Sequence, residues 1–495
     1  MTLLSKNEIR VQYSGFIIFA AQILSLVTGV VFTLLLTRNM TNDQYGVWGN
    51  IYDVIGPFTL LSGVFPFWAT RFVARGKEGA IKTAFSANIV VGLIAAAVYI
   101  PIIFPLTSVF HTEAYTIIYV VASLQVINTF LIAILEGCLR AVKPQVIGYG
   151  LLIEEVCKIA LAYVLIVGFK QLFLGAMISL IVGASVQALF YILLLRGQLQ
   201  QTIRWNYLRE WLKGSTVFIY NAVGNQLVAL VFWLLFYYGG QAARGEYLAA
   251  ATFATVIGYS SSLAYALYPK MLAGDFPKDV ATSFKTMLML AFPMAAIAIT
   301  LSQSFLTILN VSYSAASPIL ILLTVDTLVV LISQFFTSYL LGAETFDLEG
   351  KISLRQLARS KIFKVFTLPY IQAALALPAT YYVLTQVGFA DSVQAVMYVV
   401  AINIAVHIVT FVALYGLMHR EIRIGVAWKG IGKYVLASLA TGIVLYLLPS
   451  TTTLTTTFGK VLVGAVTYAA LLSMIDRDAR KLVRQIWAEI KGAFR

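Results

Sequence analysis

The chain has 495 residues, of which 60% are hydrophobic and only 11% charged, and it carries a net charge of +14. No polar stretch exceeds a few tens of residues, which excludes a soluble domain of any size and suspends the usual relation between length and domain number. In a soluble protein such a charge would suggest nucleic acid; at this hydropathy it serves orientation and attraction to anionic headgroups, so membrane lipids are the expected partner and nucleic acid is not.

Fourteen apolar segments are predicted in chain order, most of them about 22 to 27 residues long and so able to cross hydrocarbon. The first six lie at 14–37, 47–69, 84–110, 115–138, 145–168 and 172–195. After a basic gap come 215–239, 247–268, 286–309, 318–342, 365–387 and 392–418, then a shorter pair at 434–449 and 461–475. The first segment is too long for a signal-peptide core and lacks a clear small-residue cleavage site, so it is expected to remain as a membrane helix. Residues 476–495 put Leu482, Val483, Ile486 and Ile490 on one helical face among Lys and Arg, the pattern of an amphipathic helix at the cytoplasmic headgroups.

The basic residues divide unevenly between the gaps. Of thirty-five Lys and Arg, thirty fall in alternate gaps, four (Arg38, Lys170, Arg244 and Lys460) fall in the others, and Lys158 alone lies within a span. Cytoplasmic loops collect Lys and Arg, so a multi-pass protein of the cell membrane with both termini in the cytoplasm is expected. Cys138 and Cys157 fall at different depths, and a disulfide between them is not expected.

The first twelve segments read as two copies of six. An offset near 202 aligns Tyr45 with Tyr247 and Val54, Ile55, Gly56 with Val256, Ile257, Gly258; an offset of 201 pairs Gln125 with Asp326. Apolar segments also match by chance, but an even number of spans per copy makes the repeats parallel, with a cavity on the midline. The fold class predicted is an all-α polytopic membrane protein of fourteen transmembrane helices, with six-helix lobes at 1–202 and 203–424 and two further helices and a tail at 425–495.

Charges inside the spans are the candidate functional groups. Glu154 lies about 12 Å and Lys158 about 18 Å inside the fifth span at roughly 1.5 Å per residue. Each charge at such depth costs about 2.5 to 3.5 kcal/mol, so Glu154, Glu155 and Lys158 must face protein or water. Glu154 and Lys158 stand four apart and can pair on one helical face, either to lock the span to a neighbour or to line a polar cavity. Asp53 and Asp326 are the other deep acids, candidates for exchanging protons or holding a cation, with a hydrogen-bonded structural role as the alternative. Gln125, Asn128, Asn221, Asn225, Gln226 and Asn403 are amides that can join helices or meet sugar hydroxyls. His407 reads as a satisfied packing group. Arg38, Arg71 and Arg140 sit at span ends, where snorkelling is the ordinary explanation. Arg38, on the side that topology does not require to be basic, can also meet a phosphate. Gly56, Pro57, Gly63 and Pro66 in the second span and Pro369 and Pro378 in the eleventh allow kinks.

Absences narrow the chemistry. The sequence holds no Walker-type phosphate loop, no HExxH and no cysteine cluster, and no outer gap exceeds about a dozen residues, so neither catalytic residues nor a metal site are expected. Asn39 and Asn310 begin weak glycosylation sequons in outer gaps.

The stretch FTLLLTRNMTNDQYGVWGN at Phe32 to Asn50 resembles the opening of polysaccharide-export and O-antigen flippases. RFVAR at Arg71 to Arg75, LEGCLRAVKPQ at Leu135 to Gln145, and RGEYLAAATF through LYPKM at Arg244 to Met271 resemble further segments of that group in the same order. The chain is thus similar to this branch of the multidrug/oligosaccharidyl-lipid/polysaccharide exporter superfamily over nearly its whole length. The resemblance implies a two-lobed, V-shaped bundle opening alternately to either side, a polyprenyl-diphosphate-linked oligosaccharide as cargo, and association with glycan assembly machinery. Where many relatives carry an Asp-Arg pair late in the seventh span, this chain has Trp233 to Tyr238 without a charge, so no role of that pair carries over. Spans thirteen and fourteen favour lipid-linked cargo by analogy with the peptidoglycan-precursor flippase. No cofactor is expected beyond coupling to a proton or sodium gradient or to the membrane potential. The alternatives are a cation-coupled multidrug or small-solute exporter and a membrane glycan polymerase or ligase, the latter lacking an outer loop to hold catalytic groups.

Overall fold

The computed structural model describes residues 11–261, 276–342, 361–421, 428–449, 453–476 and 480. All regular structure among them is helical. That outcome suits hydrocarbon, where every backbone N–H and C=O must be satisfied within its own segment.

Helix α1 covers Val11–Thr37 and α2 covers Asn42–Thr59. Thr41 starts α2 with a reciprocal cap: its Oγ1 accepts from Gln44 N at 3.3 Å, and Gln44 Oε1 accepts from Thr41 N at 3.0 Å. The continuous second span expected at 47–69 is broken instead, because α2 and α3 (Val64–Ala74) meet at 57°. Pro66 has no N–H to offer the Ser62 carbonyl four residues back, and Asn88 Nδ2 reaches that oxygen at 3.5 Å. Helix α4, Ala80–Val109, runs unbroken through Pro101 and Pro105. Next come α5 (Thr116–Val121) and α6 (Ser123–Val142), which together make one crossing, then α7 (Gln145–Ala162) and α8 (Leu172–Leu199).

Residues 205–214, in the basic gap between the sixth and seventh apolar segments, form the short amphipathic helix α9, Trp205–Gly214. Its Trp211 is buried between the rings of Phe65 and Phe72. Helices α10 (Thr216–Leu234), α11 (Gln241–Ala254), α12 (Phe276–Thr300), α13 (Ser302–Leu309) and α14 (Ser317–Gly342) follow. The last four are α15 (Lys361–Tyr382), α16 (Ser392–Glu421), α17 (Trp428–Tyr446) and α18 (Leu454–Ile475). Three helices loosen into π-helical ends, at Tyr163–Gly168 after α7, Leu235–Gly239 after α10 and Val383–Val387 after α15. The first and third carry nearly the same string, YVL then VGF, at 163–169 and 382–389.

Among the described residues eight helices are long and apolar enough to cross a membrane, or nine if the bent pair α2 and α3 is one crossing. Gln145–Gly168 is not one of them because every eighteen-residue stretch of it contains Glu154, Glu155 and Lys158. The protein is therefore a multi-pass membrane protein, helical throughout the regular structure of its described residues. The amphipathic helix expected at 476–495 lies outside the described residues except for Asp476 and Arg480.

Contacts group the chain into two compact units, Met1–Gly245 with Phe366–Thr385, and Glu246–Val365 with Gln386–Arg495. In the first unit α7 packs between α1 and α8, and α6 between α3 and α4. The buried core there includes Phe65, Ile134, Leu135, Tyr191 and Trp211. In the second unit α14 packs along α16 and α12 along α17, which also holds α18. Lys460, counted among the outer cations, is buried at the start of α18, where its Nζ donates to the Leu448 and Pro449 carbonyls that follow α17. It satisfies a helix C-terminus there.

Candidate functional site

The first unit contains two buried ion pairs. Lys158 and Glu155 on α7 are 8% and 3% exposed, and Lys158 Nζ lies 2.6 Å from Glu155 Oε2. The partner is the acid three residues back, not Glu154 at four, because α1 selects it: Ser25 Oγ donates to Glu155 Oε1 at 2.7 Å, and Thr28 Oγ1 donates to Oε2 at 2.5 Å. Glu154 instead lies against α8 at Gly183, where a Cβ would come within 3.1 Å of the Glu154 carbonyl oxygen and 3.4 Å of Lys158 Cβ. Glu154 is half-buried, the more exposed of the two acids on α7. The Lys158 ammonium stands 5.9 Å from the Phe32 ring centre on α1.

Asp53 on α2 faces Arg244 in the first turn of α11. Nε of Arg244 donates to Oδ2 at 2.7 Å and Nη2 to Oδ1 at 2.8 Å, a two-pronged contact with both side chains under 10% exposed. The guanidinium also stands 4.7 Å from the centre of the Phe232 ring, and Trp233 Nε1 donates to the Asp53 carbonyl at 3.2 Å. Helix α10 thus supplies aromatic walls to this ion pair. The same two helices cross backbone to backbone nearby. A Cβ on Gly46 would overlap the Gln241 carbonyl oxygen, and one on Gly245 would overlap that of Asn42.

In the second unit Asp326 Oδ1 on α14 lies 2.6 Å from His407 Nδ1 on α16, with side chains 13% and 21% exposed. His407 is thus satisfied by a deep acid on the helix packed beside it, as a satisfied packing group would be. Neither deep acid has its partner on its own helix; both partners come from a packed neighbour.

The remaining candidates are scattered. Asn128 joins α6 to α8, its Nδ2 donating to the Ile181 carbonyl at 3.0 Å and to Ser185 Oγ at 3.1 Å. Gln125, one turn earlier on α6, has a buried Oε1 without a hydrogen-bond donor. Asn225 is exposed and donates within its own helix to the Asn221 carbonyl at 2.9 Å. Gln226 lies against Gly56. Arg38 is exposed in the turn after α1, and Arg140 is exposed on α6 with Nη2 3.9 Å from Glu136 Oε2. Cys138 and Cys157 are free thiols. The described residues include no group of three or more His, Cys, Asp or Glu side chains fit to hold a metal ion.

No protein-family profile matches the chain, and no curated protein sequence does. Solved structures do match. The lipid II flippase MurJ in an inward closed conformation aligns over 94% of this chain and 99% of its own, with a TM-score of 0.69 at 15% identity. An inward-facing multidrug-resistance MATE transporter of the MOP superfamily aligns over 79% of this chain and 94% of its own, with a TM-score of 0.62 at 12% identity. The fold is like that of these two transporters. A further MOP transporter, from Pyrococcus furiosus, aligns over 83% of this chain and 95% of its own, with a TM-score of 0.55 at 15% identity. Of the groups paired here, the sequence pointed to Asp53, Glu155, Lys158 and Asp326 but not to Ser25, Thr28 and Arg244. Arg244 had a visible signal, since it is one of four cations that orientation does not require, directly before the crossing residue Gly245. Ser25 and Thr28 had none, because hydroxyls on an apolar helix ordinarily satisfy themselves on the preceding turn.

Proposed function

We propose that this protein flips a polyprenyl-diphosphate-linked oligosaccharide from the cytoplasmic to the outer leaflet, for the assembly of a surface glycan. The observation that carries the reading is length. MurJ, named as a lipid II flippase, matches this chain nearly end to end, whereas the MATE transporter matches 79% of it while being 94% covered itself. A drug exporter needs no more than that shared part, and the surplus favours a lipid-borne cargo.

In this proposal the chain crosses the membrane fourteen times with both termini in the cytoplasm. Two six-helix lobes rock about a midline cavity, and α17 and α18 attend the lipid tail. A diphosphate and several sugars cannot cross hydrocarbon unaided, since each uncompensated polar group costs about 2 to 7 kcal/mol. The cavity carries the headgroup while the tail stays in lipid, and differential binding in the two states sets direction. Glu154 supplies polar lining, and the Lys158–Glu155 pair stands behind it on the same helix. Asp326 with His407 offers a coupling point for a proton, sodium or membrane-potential gradient, because binding a cation at Asp326 competes with the histidine.

Translocation is measured in proteoliposomes holding a fluorescent lipid-linked oligosaccharide, with accessibility to a membrane-impermeant glycosidase as readout. Flipping above protein-free vesicles supports the reading. Gradient-driven uptake of a cationic dye with no flipping would replace it with the exporter alternative.

A further inference from the structure

Arg244 is placed against its electrostatic interest. It sits in the first turn of α11, where the helix dipole disfavours a cation, and in a gap whose orientation calls for no positive charge. Its side chain does not run outward to water as a snorkelling arginine does. It reaches past the Gly46 crossing to Asp53, seven residues or about 10 Å further along α2, and both groups are buried there against Phe232 and Trp233. Two parallel N–H donors meeting two oxygens of one anion is the contact an arginine makes with a carboxylate or with a phosphate alike. The N-termini of α2 and α11 also converge at the crossing, which adds a positive field favouring anions.

We propose that Arg244 is a receptor for the diphosphate of the cargo at the end of the bundle opposite the basic loops, and that Asp53 is an internal substitute for that diphosphate. This rests on the lipid-linked reading above. Phosphate and the Asp53 carboxylate compete for the same two N–H groups and repel each other, so the diphosphate is bound by exchange. When it leaves, Asp53 returns and closes the site against rebinding. An ion pair with only a structural role makes no such trade.

The exchange is tested on the full chain in lipid nanodiscs, with inorganic pyrophosphate, farnesyl diphosphate and farnesol as probes and Trp233 fluorescence as readout. Asp53→Asn removes the competitor and keeps the shape, and both diphosphates should then bind about tenfold or more tightly than to the unaltered protein. Adding Arg244→Gln should abolish the gain, and farnesol should respond to neither change. A preference for farnesyl diphosphate over pyrophosphate identifies the lipid-borne ligand; equal binding identifies the free anion, which overturns the cargo assignment. If Asp53→Asn folds poorly, pyrophosphate should raise its melting temperature while leaving that of the charge-neutral double variant unmoved. Unchanged affinity and no melting shift in Asp53→Asn, or a gain that survives Arg244→Gln, would overturn the proposal. Oligosaccharide flipping by the unaltered protein alongside such a result sinks the Arg244 site alone. Diphosphate exchange without any flipping sinks the flippase reading and leaves an anion site standing.

Discussion

Glu155 receives three hydrogen bonds at once, from Lys158, Ser25 and Thr28, and so ties α7 to α1 through a buried carboxylate. Breaking a buried pair from one side leaves an uncompensated charge and typically costs about 3 to 5 kcal/mol, whereas removing both charges together costs far less. Lys158→Met should therefore lower stability by that order, and Glu155→Gln with Lys158→Met should recover most of it, as measured by thermal unfolding in detergent micelles. The double variant also separates packing from transport: folded protein that no longer flips cargo assigns the charges to the transport path, and normal flipping assigns them to packing. Spacing made Lys158 conspicuous but could not choose its partner. Residues three and four apart share a face, and the choice between Glu154 and Glu155 was made by two hydroxyls on another helix.

At the scale of elements, the close approach of α2 and α11 depends on the missing side chains of Gly46 and Gly245. Each glycine faces a backbone carbonyl of the opposite helix, at Gln241 and Asn42, which is the way small residues let membrane helices touch. The two contacts are equivalent at an offset of 199, so they obey a local two-fold relation, three residues away from the offset of 202 read from Tyr45 and Tyr247. The offset of 202 therefore does not give the register of this crossing, since a few residues of difference between loops slide a sequence alignment without moving the helices. Gly46→Leu puts a branched side chain into a carbonyl. The expected loss is at least the roughly 1 to 3 kcal/mol of an overpacked core, read as a lower melting temperature; Gly63→Leu, which meets nothing within 4 Å, serves as the control. Equal melting of the two variants would mean that the crossing does not hold these helices. Element ends were mostly legible from hydropathy. The break between α2 and α3 and the short α9 were not, since the first turns on the Pro66 donor missing opposite Ser62 and the second on Trp211 finding Phe65 and Phe72.

For the whole molecule, the count of thirty cations against four is an argument about sidedness, and the structure sharpens it. Two of the four, Arg244 and Lys460, are buried with a carboxylate and with backbone carbonyls respectively, so they add little charge to the loops that hold them. Translocation discriminates by the charge a loop presents near the membrane, and the effective imbalance is therefore larger than the raw count. Single cysteines in a Cys138→Ala, Cys157→Ala background give a direct measurement, because exposed positions are available on both proposed sides. Glu78→Cys and Gln200→Cys, beside the basic loops, should react with a membrane-impermeant maleimide only after the cells are permeabilised. Glu113→Cys and Val311→Cys, at the opposite ends of their spans, should react in intact cells. Glu113 and Val311 belong to different units, so agreement between them also checks that the number of crossings separating them is even, as the fourteen-span plan requires. Labelling of one but not the other in intact cells would add or remove a crossing between residues 113 and 311 and undo the parallel repeat. Labelling of all four only after permeabilisation would break the alternation on which the cytoplasmic placement of the termini depends.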